Sequence, residues 1–272
     1  MSTEPHAWRD RTREDNGGPS VHAMDQRNEA EIPRRILVGW NGSEASRDAL
    51  NLAVDLAAGL EARLLVGSIP DEDPVAGLRE LALKESADLL VLGATHRGAP
   101  GRLIPGSVTE RLLMNAPCAV AVAPHNYART EPHLGFGLVG VGYDGSPASR
   151  AALAFANDLA EKGGGEIRIV SVVPEYVTDD VPLGPLEPVR QEAYLRIRRA
   201  QHSIDGEIPS SGELATGDPA AVLEAEATEL DLLVVGSRGR GPIRDRLFGS
   251  VSADVIRKAP CPVIVVPYEL SA

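Results

Sequence analysis

Two kinds of segment alternate along the chain. Short aliphatic runs without polar alternation fall at residues 36–40, 64–69, 89–92 and 119–123, the pattern of parallel strands covered on both faces. Helical stretches lie between them, and their starts are marked. Ser43 and Ser146 stand where they can cap a helix, with Pro147 in the first turn after Ser146. Asp73-Pro74 and Asp218-Pro219 each place a capping carboxylate before a helix-starting proline. Strands alternating with helices predict an α/β fold built on doubly wound, open parallel sheet.

The pattern occurs twice. RRILVGWNGSEASRDALNLAVDLA, from Arg34, matches FGLVGVGYDGSPASRAALAFANDLA, from Phe136, with Asn41 on Asp144 at an offset of 103. ADLLVLGATHRG from Ala87 matches LDLLVVGSRGRG from Leu230, and APCAVAVAP from Ala116 matches APCPVIVVP from Ala259, both at an offset of 143. The second copy therefore carries about forty extra residues between Pro174 and Asp218, where the first passes directly from Ile69-Pro70 to Asp73-Pro74. The extra segment predicts a helix over residues 186–203 and a short strand near 213–216. The expected domains are 32–125 and 136–268, two tandem Rossmann-like sheets joined by a short polar linker. Residues 1–31 are polar, carry charges of both signs and include an Asn-Gly-Gly-Pro cluster. They read as a flexible tail, although Trp8, His6 and His22 also permit a partner motif.

Composition narrows the function. At 272 residues the length suits two domains of about 100–150, and 43% hydrophobic with 24% charged residues excludes a wholly disordered chain. A net charge of −12 disfavours nonspecific binding to nucleic acid or an anionic membrane, so any phosphate ligand needs a local exception. No apolar run approaches the ~20 residues that span a bilayer, and the first residues lack a secretory apolar stretch, so a cytoplasmic protein is expected. Cys118 and Cys261 are too few for a disulfide scaffold or a thiolate zinc site.

The local exception lies after the fourth strand of the second copy: Gly236-Ser-Arg-Gly239, nine residues, then Gly249-Ser250. Glycines let backbone approach phosphate, successive amides form an anion concavity, and a helix opened by Ser250 supplies free N–H donors. Arg238, Arg240, Arg244 and Arg246 crowd this loop with only Asp245 opposing. Tight turns and solvated arginines are the alternative reading of the same residues. Asp144, ending the first strand of this copy, would share a crevice with Gly236, because ligands bind at the carboxyl ends of strands at the topological switch point. Its carboxylate could accept ribose hydroxyls or help hold Mg2+, or simply form an Asx turn before the helix.

With these residues in place the chain resembles a tandem universal stress protein over roughly 33–268. The family's nucleotide-binding members share glycine, two residues, glycine, nine residues, then glycine with serine or threonine, and Gly236, Gly239, Gly249 and Ser250 fit every position. The resemblance implies an ATP-binding regulatory module of a stress response. It implies Gly142, Tyr143 and Asp144 on the ribose and adenine side, Val172 near the base, and Arg238, Gly239, Gly249, Ser250 and Val251 around the phosphates. It also implies antiparallel pairing of the last strands of two units, which a tandem chain could form internally as a pseudo-dimer. Such pairing would set Cys118 and Cys261 at opposite ends, too far apart to bond. A homodimer and an unidentified protein partner stay open.

The first copy departs from the motif. Asn41 replaces the aspartate, His96 stands at the second glycine, and the inserted segment is missing. Ser107-Val-Thr-Glu110 reads as a capping box that would turn Glu110 onto the free amides, whereas Ala253 occupies that position in the second copy. The first copy is therefore expected to be a degenerate, structural partner. Nucleophile-elbow, Walker and zinc-protease motifs are absent, and no general base is evident beside the loop. A nucleotide-responsive binder ranks first, a nucleotide-free scaffold and a slow ATPase next. ADP and cyclic AMP are not distinguished from ATP.

Overall fold

A computed structural model describes residues 35–68, 72–94, 106–130, 135–173, 186–204, 206–237 and 249–267. The first repeat comprises β1 (Arg35–Trp40), α1 (Glu44–Leu60), β2 (Arg63–Ser68), α2 (Pro74–Lys84), β3 (Leu89–Gly93), α3 (Ser107–Asn115) and β4 (Ala119–Ala123). The second comprises β5 (Leu138–Gly142), α4 (Pro147–Gly163), β6 (Glu166–Val173), α5 (Leu186–His202), β7 (Ser210–Thr216), α6 (Pro219–Glu226), β8 (Leu232–Gly236), α7 (Ser250–Lys258) and β9 (Val263–Val266). The inserted helix and strand are thus α5 and β7. Four expected caps form: Ser43, Asp73, Ser146 and Asp218 accept from the amides of Ser46, Ala76, Ser149 and Ala221.

The two expected sheets are joined edge to edge into one, in the order β2-β1-β3-β4-β9-β8-β5-β6-β7. Each repeat is parallel within itself, and the seam between β4 and β9 is antiparallel, with Val120 facing Val265 and Val122 facing Val263. Both seam strands are wholly buried, which is why they contain only alanine, valine and isoleucine. Helices α1, α4 and α5 pack on one face and α2, α3, α6 and α7 on the other. This two-sided cover explains the unbroken apolar strands. Cys118 and Cys261 flank opposite ends of the seam as free thiols, and burial pushes both up to about 12. Each thiol stays protonated and unreactive at neutral pH.

The segment after β4, expected as linker, begins as packed structure. Tyr127 is buried and donates its hydroxyl to Asp55 Oδ2 at 2.8 Å, while Asp48 accepts the amides of Asn126 and Ala128. Burial, then the hydrogen bond to Asp55, raises the Tyr127 phenol above its ordinary range. Tyr127→Phe strips a buried carboxylate oxygen of its donor, so chemical denaturation should show a loss of about 1–3 kcal/mol. An unchanged midpoint would mean the hydrogen bond contributes nothing. None of the described helices is long and apolar enough to cross a membrane. The tail residues His6, Trp8 and His22 lie outside the described residues.

Candidate functional site

The crevice arises where neighbouring strands send their chains to opposite faces. β5 and β8 lie side by side, with Gly142 paired to Val235. After Gly142 the chain turns into α4 on one face, and after Gly236 it leads toward α7 on the other. A topological switch point of this kind leaves an opening outside the carboxyl ends of the strands. β6 outruns β5: Gly142 lies opposite Val170, so the half-buried Val172 stands beyond the end of β5 as a rim. Tyr143 donates its amide to Val170 and is buried in the core cluster that α4 joins.

Asp144 forms the expected Asx turn, its Oδ1 accepting the Ser146 amide at 2.9 Å. Asn41 does the same for Ser43 at 3.1 Å. In each copy the following glycine, Gly42 or Gly145, takes a left-handed φ near +75°, which explains Asn-Gly and Asp-Gly at these positions. The turn geometry therefore does not distinguish the copies; the charge of the Asp144 carboxylate does.

Two expectations about helix ends are corrected. Gly249, not Ser250, is the N-cap of α7, and among the described residues no side chain caps that end. Gly106, not Ser107, is likewise the N-cap of α3, again without a side-chain cap among the described residues. The capping box does not form, because starting the helix one residue earlier moves Glu110 past the position from which it could reach back. Glu110 instead pairs with Arg257 of the second repeat at 3.8 Å. Among the described residues both repeats thus present an uncapped N-terminus at their last helix, while α1, α2, α4 and α6 are capped by side chains. The Gly249 amide donates to Ser237 O at 2.6 Å, and Ser237 donates to Val266 O. The base of the intervening loop is thereby tied to the sheet. Arg238, Gly239, Arg240, Arg244, Asp245, Arg246 and His96 lie outside the described residues.

The first glycine of the motif has a packing role. A Cβ on Gly236 would stand 2.6 Å from the backbone carbon of Ala148, and one on Gly93 would stand 2.0 Å from the Ala45 oxygen. In both copies glycine lets the first turn of a helix descend onto the strand end. Arg196, not anticipated from sequence, comes from α5: a Cβ on Gly145 would meet its Cδ at 2.5 Å. Its stem covers the turn that carries Asp144, and Arg150 donates to Gly145 O. The inserted segment is rich in arginine, but nothing in its spacing shows which one reaches Gly145.

The family model for the Universal stress protein family matches residues 68–124 and 135–267. The chain is 34% identical over 229 residues to universal stress protein Rv2005c of Mycobacterium tuberculosis, covering 82% of this chain and 76% of that protein. A universal stress protein of Thermus aquaticus is 32% identical over 136 residues, 48% of this chain and 98% of its own length. Among solved structures, a universal stress protein from Archaeoglobus fulgidus shares the fold, with a TM-score of 0.67 at 22% identity over 88% of this chain and all of that one. Two repeats on one α/β sheet, a glycine-bounded loop at the switch point of the second, and relatives matched along most of the chain lead to one conclusion: the chain belongs to the universal stress protein family.

Proposed function

We propose that the second repeat holds an adenine nucleotide, ATP in the first instance, and that the chain acts as a nucleotide-responsive regulatory module in which the first repeat is the structural partner. One observation carries this reading: the uncapped α7 N-terminus and the Asp144 turn lie at the ends of the adjacent strands β8 and β5. Unsatisfied amides and the helix dipole favour an anion at one side, and a carboxylate favours ribose hydroxyls or a phosphate-bound Mg2+ at the other. Gly249, Ser250 and Val251 would receive the phosphates with Arg238 and Gly239. Gly142, Tyr143 and Val172 would border the base, with Gly236 shaping the floor through its contact with Ala148.

The first repeat keeps an open helix end but has the neutral Asn41 and, beyond β2, neither the extra strand nor the extra helix. Weaker holding of a magnesium nucleotide follows. Binding rather than turnover is the proposed activity, since the motif supplies amides and cations but no evident base to activate water. A scaffold that binds nothing is the second reading, because packing against Ala148 and the Asx turn account for Gly236 and Asp144 without a ligand. Nucleotide released by acid from the purified full-length chain separates the two. Chromatography should recover adenine nucleotide approaching one per chain and identify it as ATP, ADP or cyclic AMP. A chain that carries none and takes up none on incubation with ATP is a scaffold.

A further inference from the structure

We infer that the outer edge of β2 is a self-association surface, on which a second copy of this chain pairs antiparallel about a twofold axis. The repeats show what is missing there. β6 is flanked by β7 and its face is covered by α5, through Ile197 and Ala200. Its equivalent β2 has no outer neighbour among the described residues. Ile169 is fully buried on β6, yet Val66, which aligns with it, is 56% exposed. On the same side of the sheet α1 carries a stripe at helical spacing, Leu50, Val54 and Ala57, of which Val54 is 49% exposed. Among the described residues the sheet thus ends in an apolar strand whose face has lost its cover, a feature that invites strand pairing.

Three features favour a second copy over other occupants. The opposite edge of the sheet, β7, reads SSGELAT and is polar, so apolar matching pairs β2 with β2 rather than with β7. Such isologous pairing closes at a dimer instead of growing a filament. With the axis at Leu65, Val66 of one copy lies opposite Leu64 of the other on the exposed face, an aliphatic cross-strand pair. Charge agrees: Arg63 is the one charged residue of β2. Antiparallel pairing sets it opposite the uncharged Gly67 of the second copy. A parallel arrangement would stack Arg63 on Arg63, at a cost.

Sedimentation of the full-length chain tests the inference, with Val66→Asp as the disrupting variant and Val54→Asp as a second. Both sites are about half exposed, so neither substitution should unfold the monomer, and circular dichroism checks this. The wild type should sediment as a dimer, and both variants should shift to monomer while remaining folded. Leu65→Cys, the position on the axis, should form an interchain disulfide on mild oxidation, because opposed Cα atoms lie about 4.5–5.5 Å apart. The native thiols are buried and silent. A wild type that stays monomeric, a dimer that survives Val66→Asp, or a Leu65→Cys chain that does not cross-link overturns the inference. Nucleotide binding does not enter any of these readouts.

Discussion

Gly93→Ala is expected to destabilise the protein by about 3 kcal/mol, lowering its thermal midpoint by roughly 6–12 °C. The added methyl would lie 2.0 Å from the Ala45 carbonyl oxygen and 2.6 Å from its carbon. These are backbone atoms in the first turn of α1, so no rotamer change relieves the overlap. Either α1 lifts from the sheet or β3 bends away, and both open the core around Leu52 and Val91. Gly59→Ala is the matched control: it lies within α1 and its Cβ would meet nothing within 4 Å. Replacing a helical glycine there should gain about 0.5–1 kcal/mol. Denaturant titration of the two variants is the check. A Gly93→Ala protein as stable as the wild type would show that close helix packing is not what requires the glycine. Because β3 belongs to the first repeat, folded Gly93→Ala should keep its nucleotide affinity in the second.

A second large effect has the opposite sign at neutral pH. Asp158, on α4, is 8% exposed, and its Oδ2 finds no hydrogen-bond partner among the described residues. Burial first, then Glu161, pushes its carboxyl up to about 6 against the opposing pull of Lys162. The folded state therefore holds this proton more tightly than the unfolded chain does. Below about pH 4 the group is protonated in both states and carries no penalty. As pH rises through about 6 the folded protein must ionise a buried carboxyl, and roughly 3 kcal/mol of stability is lost. Asp158→Asn should thus be more stable than the wild type by up to about this amount near pH 8, with the gain fading toward pH 4. Urea denaturation of both proteins across that range reads the difference directly. A gain that is absent at high pH, or equal at all pH values, would sink this assignment.

Asp158 also shows how the repeats have diverged. It aligns with Asp55, which receives the Tyr127 hydroxyl. The second copy has Leu270 where Tyr127 would fall, and leucine offers no donor.

Much of the architecture was legible because each strand had to be apolar on both faces and each capped helix began with a residue type that only a helix start favours. The insertion was legible from the change in offset between the matched segments, and it folds as α5 and β7. The single continuous sheet was less so: the sequence shows matched final strands, but their pairing depends on how two edges meet in space. The helix starts at Gly106 and Gly249 were misread by one residue, since serine is the stronger cap by type and only the backbone shows where helical hydrogen bonding begins. Contacts such as Tyr127 with Asp55 and Arg196 with Gly145 join residues far apart in the chain, with no pattern linking them. The site was legible as a motif; the structure adds that Gly236 also serves packing, and the helix end and the Asp144 carboxylate carry the case for a ligand.

Isothermal titration of the full-length chain with ATP and magnesium, run beside Gly249→Val and Gly106→Val, bears most directly on where a nucleotide is held. One site per chain, abolished by the substitution at α7 and retained after that at α3, is the expected result. No saturable binding in the wild type, or a site lost with Gly106→Val and kept with Gly249→Val, would contradict it.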